Sequence, residues 1–578
     1  MVGDSGEYLV YALNFASLRG PSLKSRDLDH LKQQVVEYAP ELDHPDFYRN
    51  AIAGRGGRRD FMHFWFFSLC ATPFVWLAQA VRVPPVYGFF GLNLTVLLVA
   101  IWVAVPRIGQ ALTLLLFASP LIWWIDKAHT EMFTVSLLAV TMLLIRDKPW
   151  WAMVAAGIAS TQYPPFAALV MLVAGAAVVA RRGLIADRRF QWGLAAGCAL
   201  AILHPAYYYV RHGTPSLLLS VSNTGTPGWA ELSAVLFDPD IGLVASFPVL
   251  PIVVGAALIL VLSKRARAVL TADAVVSALL AALLLVVTGR KDNVHHGATP
   301  SLSRYALWFI PLAIPLLREA AALGTAVWRR FAWGAAIVSA LVSIFAFHPI
   351  VVQNSREPTW LAEYLWTRHP AWNNPLPEVF AEAFSRSDET WAPTFTDRCE
   401  KILVGVPADS PPGAAAGLWP VPCFPVGLPM RCRSEGVWCY ANRLDGEYAF
   451  TPAPGRWNPR PQPRPGSTWP AEAEPVVRKL YEEWGWRTLQ QNVVTPWLRQ
   501  SGNVHVTGLD GPDRFILVLR DPQPNAMLTF RLPHAMSGAI IDARRGETIT
   551  PLQFTGAAWD RWDVALPQGT DLLLLALK

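Results

Sequence analysis

Between Phe61 and Val352 the chain is a ladder of long, nearly uncharged apolar runs. The clearest cover residues 84–105, 108–125, 132–145, 149–161, 166–180, 190–210, 241–263, 272–288, 305–317 and 331–350. Such runs bury themselves in hydrocarbon, and they imply a mainly α, polytopic membrane helix bundle of about 10–11 spans. Several fall short of the roughly 20 residues that a straight crossing needs, so short helices must thin the bilayer or lean on partners. Run 149–180 is too long for one span and holds Tyr163-Pro164-Pro165 at its centre, so it reads as two short helices meeting at a loop.

Composition agrees. With 53% hydrophobic and 16% charged residues, the chain is too apolar for a soluble protein of ordinary surface. Its 25 Trp and 14 Tyr suit membrane interfaces and sugar-binding surfaces alike. No internal repeat is visible, polar residues soon follow Met1 so no cleavable signal peptide is expected, and nothing points to nucleic acid.

Basic residues set the orientation. If the loop at 126–131 is outside, thirteen short-loop cations fall inside, among them Arg107, Arg146, Arg188, Arg265 and Arg318. Only five, Lys127, Arg211, Arg290, Lys291 and Arg304, fall outside, and the positive-inside rule selects this arrangement. The expected division is then 1–83 as an external first loop with juxtamembrane helices, 84–352 as the bundle, and 353–578 as an extracytoplasmic C-terminal α+β domain.

Four cysteines, Cys399, Cys423, Cys432 and Cys439, lie in that tail, where oxidation would allow disulfides in any of three pairings. Cys432 with Cys439 closes the shortest loop. Residues 353–400 read as helical and polar, 401–475 as Pro/Gly-rich without a period, and Val476–Trp484 as an amphipathic helix. Beyond Gly502, apolar runs such as Phe515–Leu519, Met527–Phe530 and Leu572–Leu577 read as strands of a small β-sandwich.

One rung of the ladder breaks at Asp126-Lys127-Ala128-His129-Thr130-Glu131, and ionisable groups between membrane helices mark function by default. Other segments add to it. Gly3-Asp4-Ser5-Gly6-Glu7-Tyr8-Leu9 opens the chain, Phe61-Met62-His63-Phe64 begins a His-Phe-rich run, and Thr161-Gln162-Tyr163-Pro164-Pro165, Ser303-Arg304-Tyr305 and Asn373–Phe380 follow. In this order they resemble the GT-C superfamily of lipid-carrier-dependent glycosyltransferases over roughly residues 1–385. That superfamily includes the protein O-mannosyltransferases and the aminoarabinose transferase acting on lipid A.

The resemblance implies a catalytic carboxylate at Asp4, with Asp126 and Glu131 in the second acidic turn. It also implies a substrate-binding set of Glu7, His129, Tyr163 and the Arg304-Tyr305 pair. From the residues themselves come Lys291, Arg58 and Arg59 as phosphate partners, and His295 and His296 as sugar or metal ligands. No metal site is assigned, no cofactor is required, and a divalent cation is left open. The donor would be a polyprenyl-phosphate sugar, and the acceptor a glycan, lipid or protein outside a bacterial inner or plasma membrane. Two departures stand out: Ser5 follows Asp4 where many relatives have Glu, and only three residues precede Asp4 where relatives carry a membrane helix. On this reading residues 61–81 lie on the outer face without crossing, which keeps Asp4 beside Asp126. Two other classes fit the same features, namely a transporter or flippase of lipid-linked sugars and a non-catalytic glycan-binding scaffold.

Overall fold

Proline, glycine and small polar residues set where the apolar runs begin and bend. The structure, a computed structural model, describes residues 5–24, 30–31, 33–35, 51–54, 58–218, 228–265, 271–290, 294, 302–349, 358–385, 394–395, 400–405, 438–444, 447–454, 476, 479–480, 499–501, 505–511, 514–520, 527–531, 536–555, 561–567 and 572–577. It is mainly helical and divides into two compact units, one ending at Leu361 and one starting at Ala362.

The first unit contains α1 (Ser5–Ala16), α2 (Phe66–Ala80), α3 (Tyr87–Phe117), α4 (Glu131–Leu144), α5 (Pro149–Gln162), α6 (Ala167–Ala180) and α7 (Arg188–His212). It continues with α8 (Trp229–Phe237), α9 (Leu243–Ser246), α10 (Val249–Arg265), α11 (Ala272–Gly289), α12 (Ile314–Leu323) and α13 (Ala326–Ala346). A small sheet ordered β1-β3-β2 joins β1 (Leu23–Lys24), β2 (Ile52–Ala53) and β3 (Arg58–Asp60). Among the described residues five runs are long and apolar enough to cross a membrane: α3, α7, α11, α13 and Arg304–Leu323. Shorter apolar helices, α2, α4, α10 and Pro164–Ala180, accompany them.

Helix α3 is folded back on itself. A straight helix of its length would span about 46 Å, yet the Asn93 side-chain amide donates to the carbonyls of Trp124, Ile125 and Lys127 at 3.3, 3.3 and 2.9 Å. The reversal falls at Gly109, whose φ of 80° is open to glycine at little cost, just after Pro106. The two arms correspond to runs 84–105 and 108–125. A 3₁₀ turn, Pro120–Trp124, capped by the Ser119 hydroxyl, completes the second.

Helices α1 and α2 run side by side and parallel: the Ser68 hydroxyl donates to the Tyr8 carbonyl (2.8 Å), and the Trp76 indole to that of Ala16 (2.9 Å). Helix α2 meets α3 at Gly88, Phe89 and Gly91, within its first two turns. Helices α5 and α7 touch through backbone: a Cβ on Gly157 would sit 2.7 Å from the Gly197 carbonyl, and one on Gly193 2.5 Å from Trp150 Cβ. This contact fixes His204 of α7 against Thr161 at the end of α5.

In the second unit, α14 (Trp360–Arg368) begins at the division and α15 (Pro377–Ser385) follows. Strands β4 (Thr394–Phe395), β5 (Lys401–Gly405), β6 (Trp438–Leu444) and β7 (Glu447–Pro452) pair antiparallel in that order. The stretch 401–475, read as Pro/Gly-rich without a period, contains three strands among its described residues. Their pattern was hidden because Trp366, Phe380, Leu403, Trp438 and Tyr440 share one core, and five successive residues of β6 are buried with no alternation. The Lys401 ammonium donates to the Pro370 carbonyl (2.7 Å) and to the side-chain oxygens of Asn374 (2.5 Å) and Asn442 (2.7 Å).

Farther on, β8 (Arg499–Ser501), β9 (His505–Gly511), β10 (Arg514–Arg520), β11 (Met527–Arg531), β12 (Met536–Asp542), β13 (Thr548–Phe554), β14 (Arg561–Ala565) and β15 (Leu572–Leu577) form two antiparallel sheets. Their orders are β13-β12-β15-β10-β9 and β14-β11-β8. All six residues of β15, a central strand, are buried. Of the expected helix Val476–Trp484, the described Val476, Lys479 and Leu480 are helical. Cys70 and Cys198 are free thiols, and Cys439 is fully buried and disulfide-bonded. Cys399, Cys423 and Cys432 lie outside the described residues.

Candidate active site

Four segments far apart in sequence meet at one end of α4. Glu131 is the first residue of that helix and is buried. One of its oxygens lies 3.0 Å from His129 Nδ1, and the other 3.5 Å from a terminal nitrogen of Arg304. Glu7, on the first turn of α1, forms a second carboxylate–imidazole pair with His63 Nδ1 at 2.9 Å. The Tyr8 ring stands between the pairs, with its centroid 5.6 Å from that of His63 and 6.2 Å from that of His129. The centre is therefore two carboxylate–histidine pairs and one guanidinium around a tyrosine. In each pair the carboxylate fixes which face of the imidazole turns away from it.

Arg304 is presented by an unusual element. Residues Arg304–Ala313 form a 3₁₀ helix of ten residues, far longer than the usual single turn, begun by the Ser303 hydroxyl accepting the Tyr305 N–H at 3.3 Å. Three residues per turn place Tyr305 and Trp308 one above the other, with ring centroids 5.0 Å apart. Trp308 then packs on Tyr163 at 4.1 Å, and Arg304 lies over the Tyr305 ring. The Ser303 N–H donates to the Ile241 carbonyl at 3.0 Å, tying this element to the Asp238–Ile241 loop.

That loop buries two acids. Asp238 accepts the N–H groups of Asp240 and Ile241, and Asp240 accepts that of Thr359 at 2.7 Å. Burial pushes the Asp238 carboxyl up to about 6. It pushes Asp240 up to about 8, with the neighbouring Asp238 charge adding to the shift.

The expected site residues divide into three groups. Glu7, His129, Glu131, Arg304, Tyr305 and Tyr163 come together as described. Asp126 does not join them: its carboxylate pairs with Lys127 Nζ at 2.5 Å, and that ammonium also donates to the Pro349 carbonyl and lies over the Trp123 ring. Arg58 and Arg59 serve the small sheet, donating to the Ser22 hydroxyl and the Ala51 carbonyl. Asp4, Lys291, His295 and His296 lie outside the described residues.

Three contributors were not picked out as site residues from sequence. His63 pairs with Glu7 from 56 residues away in the chain. His204 donates from Nδ1 to the Thr161 carbonyl (2.8 Å) and stacks on Phe64 (4.7 Å). Asp60, fully buried, holds Tyr207, Arg211 and His212 at 2.7, 2.6 and 2.9 Å and so locks β3 onto the end of α7. The readable clue for the two histidines was an ionisable residue inside an apolar run.

At the other end of α4, about 20 Å away along the helix, Arg146 forms ion pairs with Asp273 (2.7 Å) and Glu319 (2.5 Å). Arg318 donates to the Leu143 carbonyl beside them. Among the described residues no group of three or more His, Cys, Asp or Glu is arranged to hold a metal. Comparison of the chain with protein-family models, curated proteins and solved structures found no match.

Proposed function

We propose that this protein is an integral-membrane glycosyltransferase of the GT-C type, moving a sugar from a polyprenyl-phosphate carrier to an acceptor hydroxyl with inversion. The observation that carries the proposal is the meeting of Glu7–His63 and His129–Glu131–Arg304 at one end of an apolar helix bundle. Carboxylate and imidazole supply a proton acceptor, and the guanidinium supplies charge for a leaving phosphate. A carrier lipid would keep its tail in the membrane and bring its phosphate to the bundle end.

In this scheme the attacking hydroxyl loses its proton to a carboxylate or carboxylate-backed imidazole within hydrogen-bond reach, as its oxygen bonds to the anomeric carbon and the C–O bond to phosphate breaks. General-base help of this kind is worth about 10²–10⁴-fold in rate. Asp4 is the base the resemblance implies, and Glu7–His63 is the described pair nearest to it in sequence. Glu131, already engaged by His129 and Arg304, acts by holding both in place. Arg304 meets the negative charge that gathers on the departing phosphate, stabilising the transition state more than the ground state.

Topology follows the same logic. Helix α2 crosses the start of α3 instead of lying antiparallel along it, which supports a juxtamembrane helix outside the membrane. The cluster would then face the extracytoplasmic side. The test is carrier turnover by the full chain in nanodiscs. Asp4→Asn should lower transfer by at least about a hundredfold with little change in donor binding, and Glu7→Gln should slow it similarly. Near-normal turnover in both would remove the carboxylates of this end from the chemistry.

A further inference from the structure

Among the described residues, the buried side-chain atoms left without a hydrogen-bond partner include four around the cluster: the indole nitrogens of Trp124 and Trp308, the side-chain oxygen of Asn93 and Nε2 of His204. All four side chains are at least nine-tenths buried. Each is one residue or one ring from the charged centre. Trp124 packs on His129 at 5.1 Å, and Trp308 on Tyr305 and Tyr163. Asn93 is bound through its amide nitrogen to the Trp124–Lys127 turn, and His204 stacks on Phe64, next in sequence to His63.

Unpaired polar atoms in a folded interior are costly and normally rare, so several around one site call for a common partner. Their polarity describes that partner. Indole nitrogens only donate, and the Asn93 oxygen only accepts. His204 Nδ1 donates to a carbonyl, which leaves Nε2 of the neutral ring as an acceptor. A ligand satisfying all four must offer both acceptors and donors, and the Tyr163–Trp308 pair adds flat aromatic surface for its C–H face.

We infer that Trp124, Trp308, Asn93 and His204 form the sugar subsite, holding hydroxyl groups of the carrier-borne sugar while Arg304 takes the phosphate. This rests on the glycosyltransferase reading, and it assigns sugar selectivity to atoms outside the charged cluster.

The test uses the full chain in nanodiscs and a short polyprenyl phosphate, either bare or carrying one hexose or one pentose. Wild type should bind at least one sugar-bearing probe about tenfold more tightly than the bare phosphate. His204→Asn keeps a donor for the Thr161 carbonyl but removes Nε2. Replacing Trp308 with its sulfur isostere benzothienylalanine removes only the N–H. Both should bring the sugar-bearing and bare probes to within about threefold of each other. Binding of the bare phosphate and the melting temperature without ligand should stay unchanged, which guards against a folding defect. Equal binding of bare and sugar-bearing probes by wild type, or a preference that survives both replacements, would overturn the sugar subsite while leaving a carrier site in place. No binding of any probe would overturn the glycosyltransferase reading and this inference with it.

Discussion

Glu131 shows how much of a site one residue type can declare. An acid at the break between two apolar runs was conspicuous in the sequence, because a carboxylate near a bilayer needs water or a partner. Which partner it would find was not legible. His129 is two residues away, but Arg304 comes from an element 173 positions later, and Asp126, equally conspicuous, is taken by its neighbour Lys127. Asp240 makes a prediction of its own. Its carboxyl is raised to about 8 by burial beside Asp238, so it is protonated in the fold at neutral pH while the unfolded chain ionises it near 3.8. A raised acid contributes stability below the unfolded value and loses it as pH climbs to the folded one. Asp240→Asn keeps an oxygen for the Thr359 N–H and removes the titration. Its melting temperature should match wild type at pH 4, and exceed it by a margin that grows to pH 8 and reaches an energy of about a few kcal/mol. A constant difference across that range in thermal-shift measurements would contradict the assignment.

At the scale of elements, the sequence was most informative where proline and glycine punctuate apolar runs. Tyr163-Pro164-Pro165 separates α5 from α6 as read, and the break near Pro106 is a reversal at Gly109. What escaped were elements whose residues are buried without a period, such as β6, and the ten-residue 3₁₀ helix. The 3₁₀ helix has ordinary apolar composition, and its form is a matter of packing among Tyr163, Tyr305 and Trp308. The α3 hairpin is closed by Asn93, whose amide nitrogen serves three carbonyls. Asn93→Leu keeps volume but strands those carbonyls, so unfolding in detergent should become easier by about 1–3 kcal/mol. The Trp124–Lys127 turn carrying His129 should loosen first, visible as faster amide exchange there than in α7. Unchanged exchange in that turn would mean that the hairpin is held elsewhere.

Across the whole first unit, ionic groups gather at the two ends of α4: Glu131 with Arg304 at one, and Arg146 with Asp273 and Glu319 at the other. The basic-loop count already put Arg146 and Arg318 on the opposite side from Arg304, because that count needs only chain order and charge. The convergence of α1 with α4 needs tertiary structure and was visible only through resemblance. Single cysteines placed beside Asp126 and in the C-terminal domain should react with an impermeant thiol reagent from outside, and those beside Arg188 or Arg265 should react only after permeabilisation. The reverse pattern would turn the molecule over and put the cluster in the cytoplasm. The central claim, that this end of the bundle receives a carrier phosphate and expels it, is tested most directly by donor titration of Arg304 variants in nanodiscs. A planar guanidinium can grip phosphate oxygens at two points where an ammonium offers one. Arg304→Lys should therefore keep part of the activity, whereas Arg304→Ala should raise the half-saturating donor concentration and lower the rate together. An unchanged half-saturating concentration in Arg304→Ala would leave Arg304 as a structural partner of Glu131 and contradict the account.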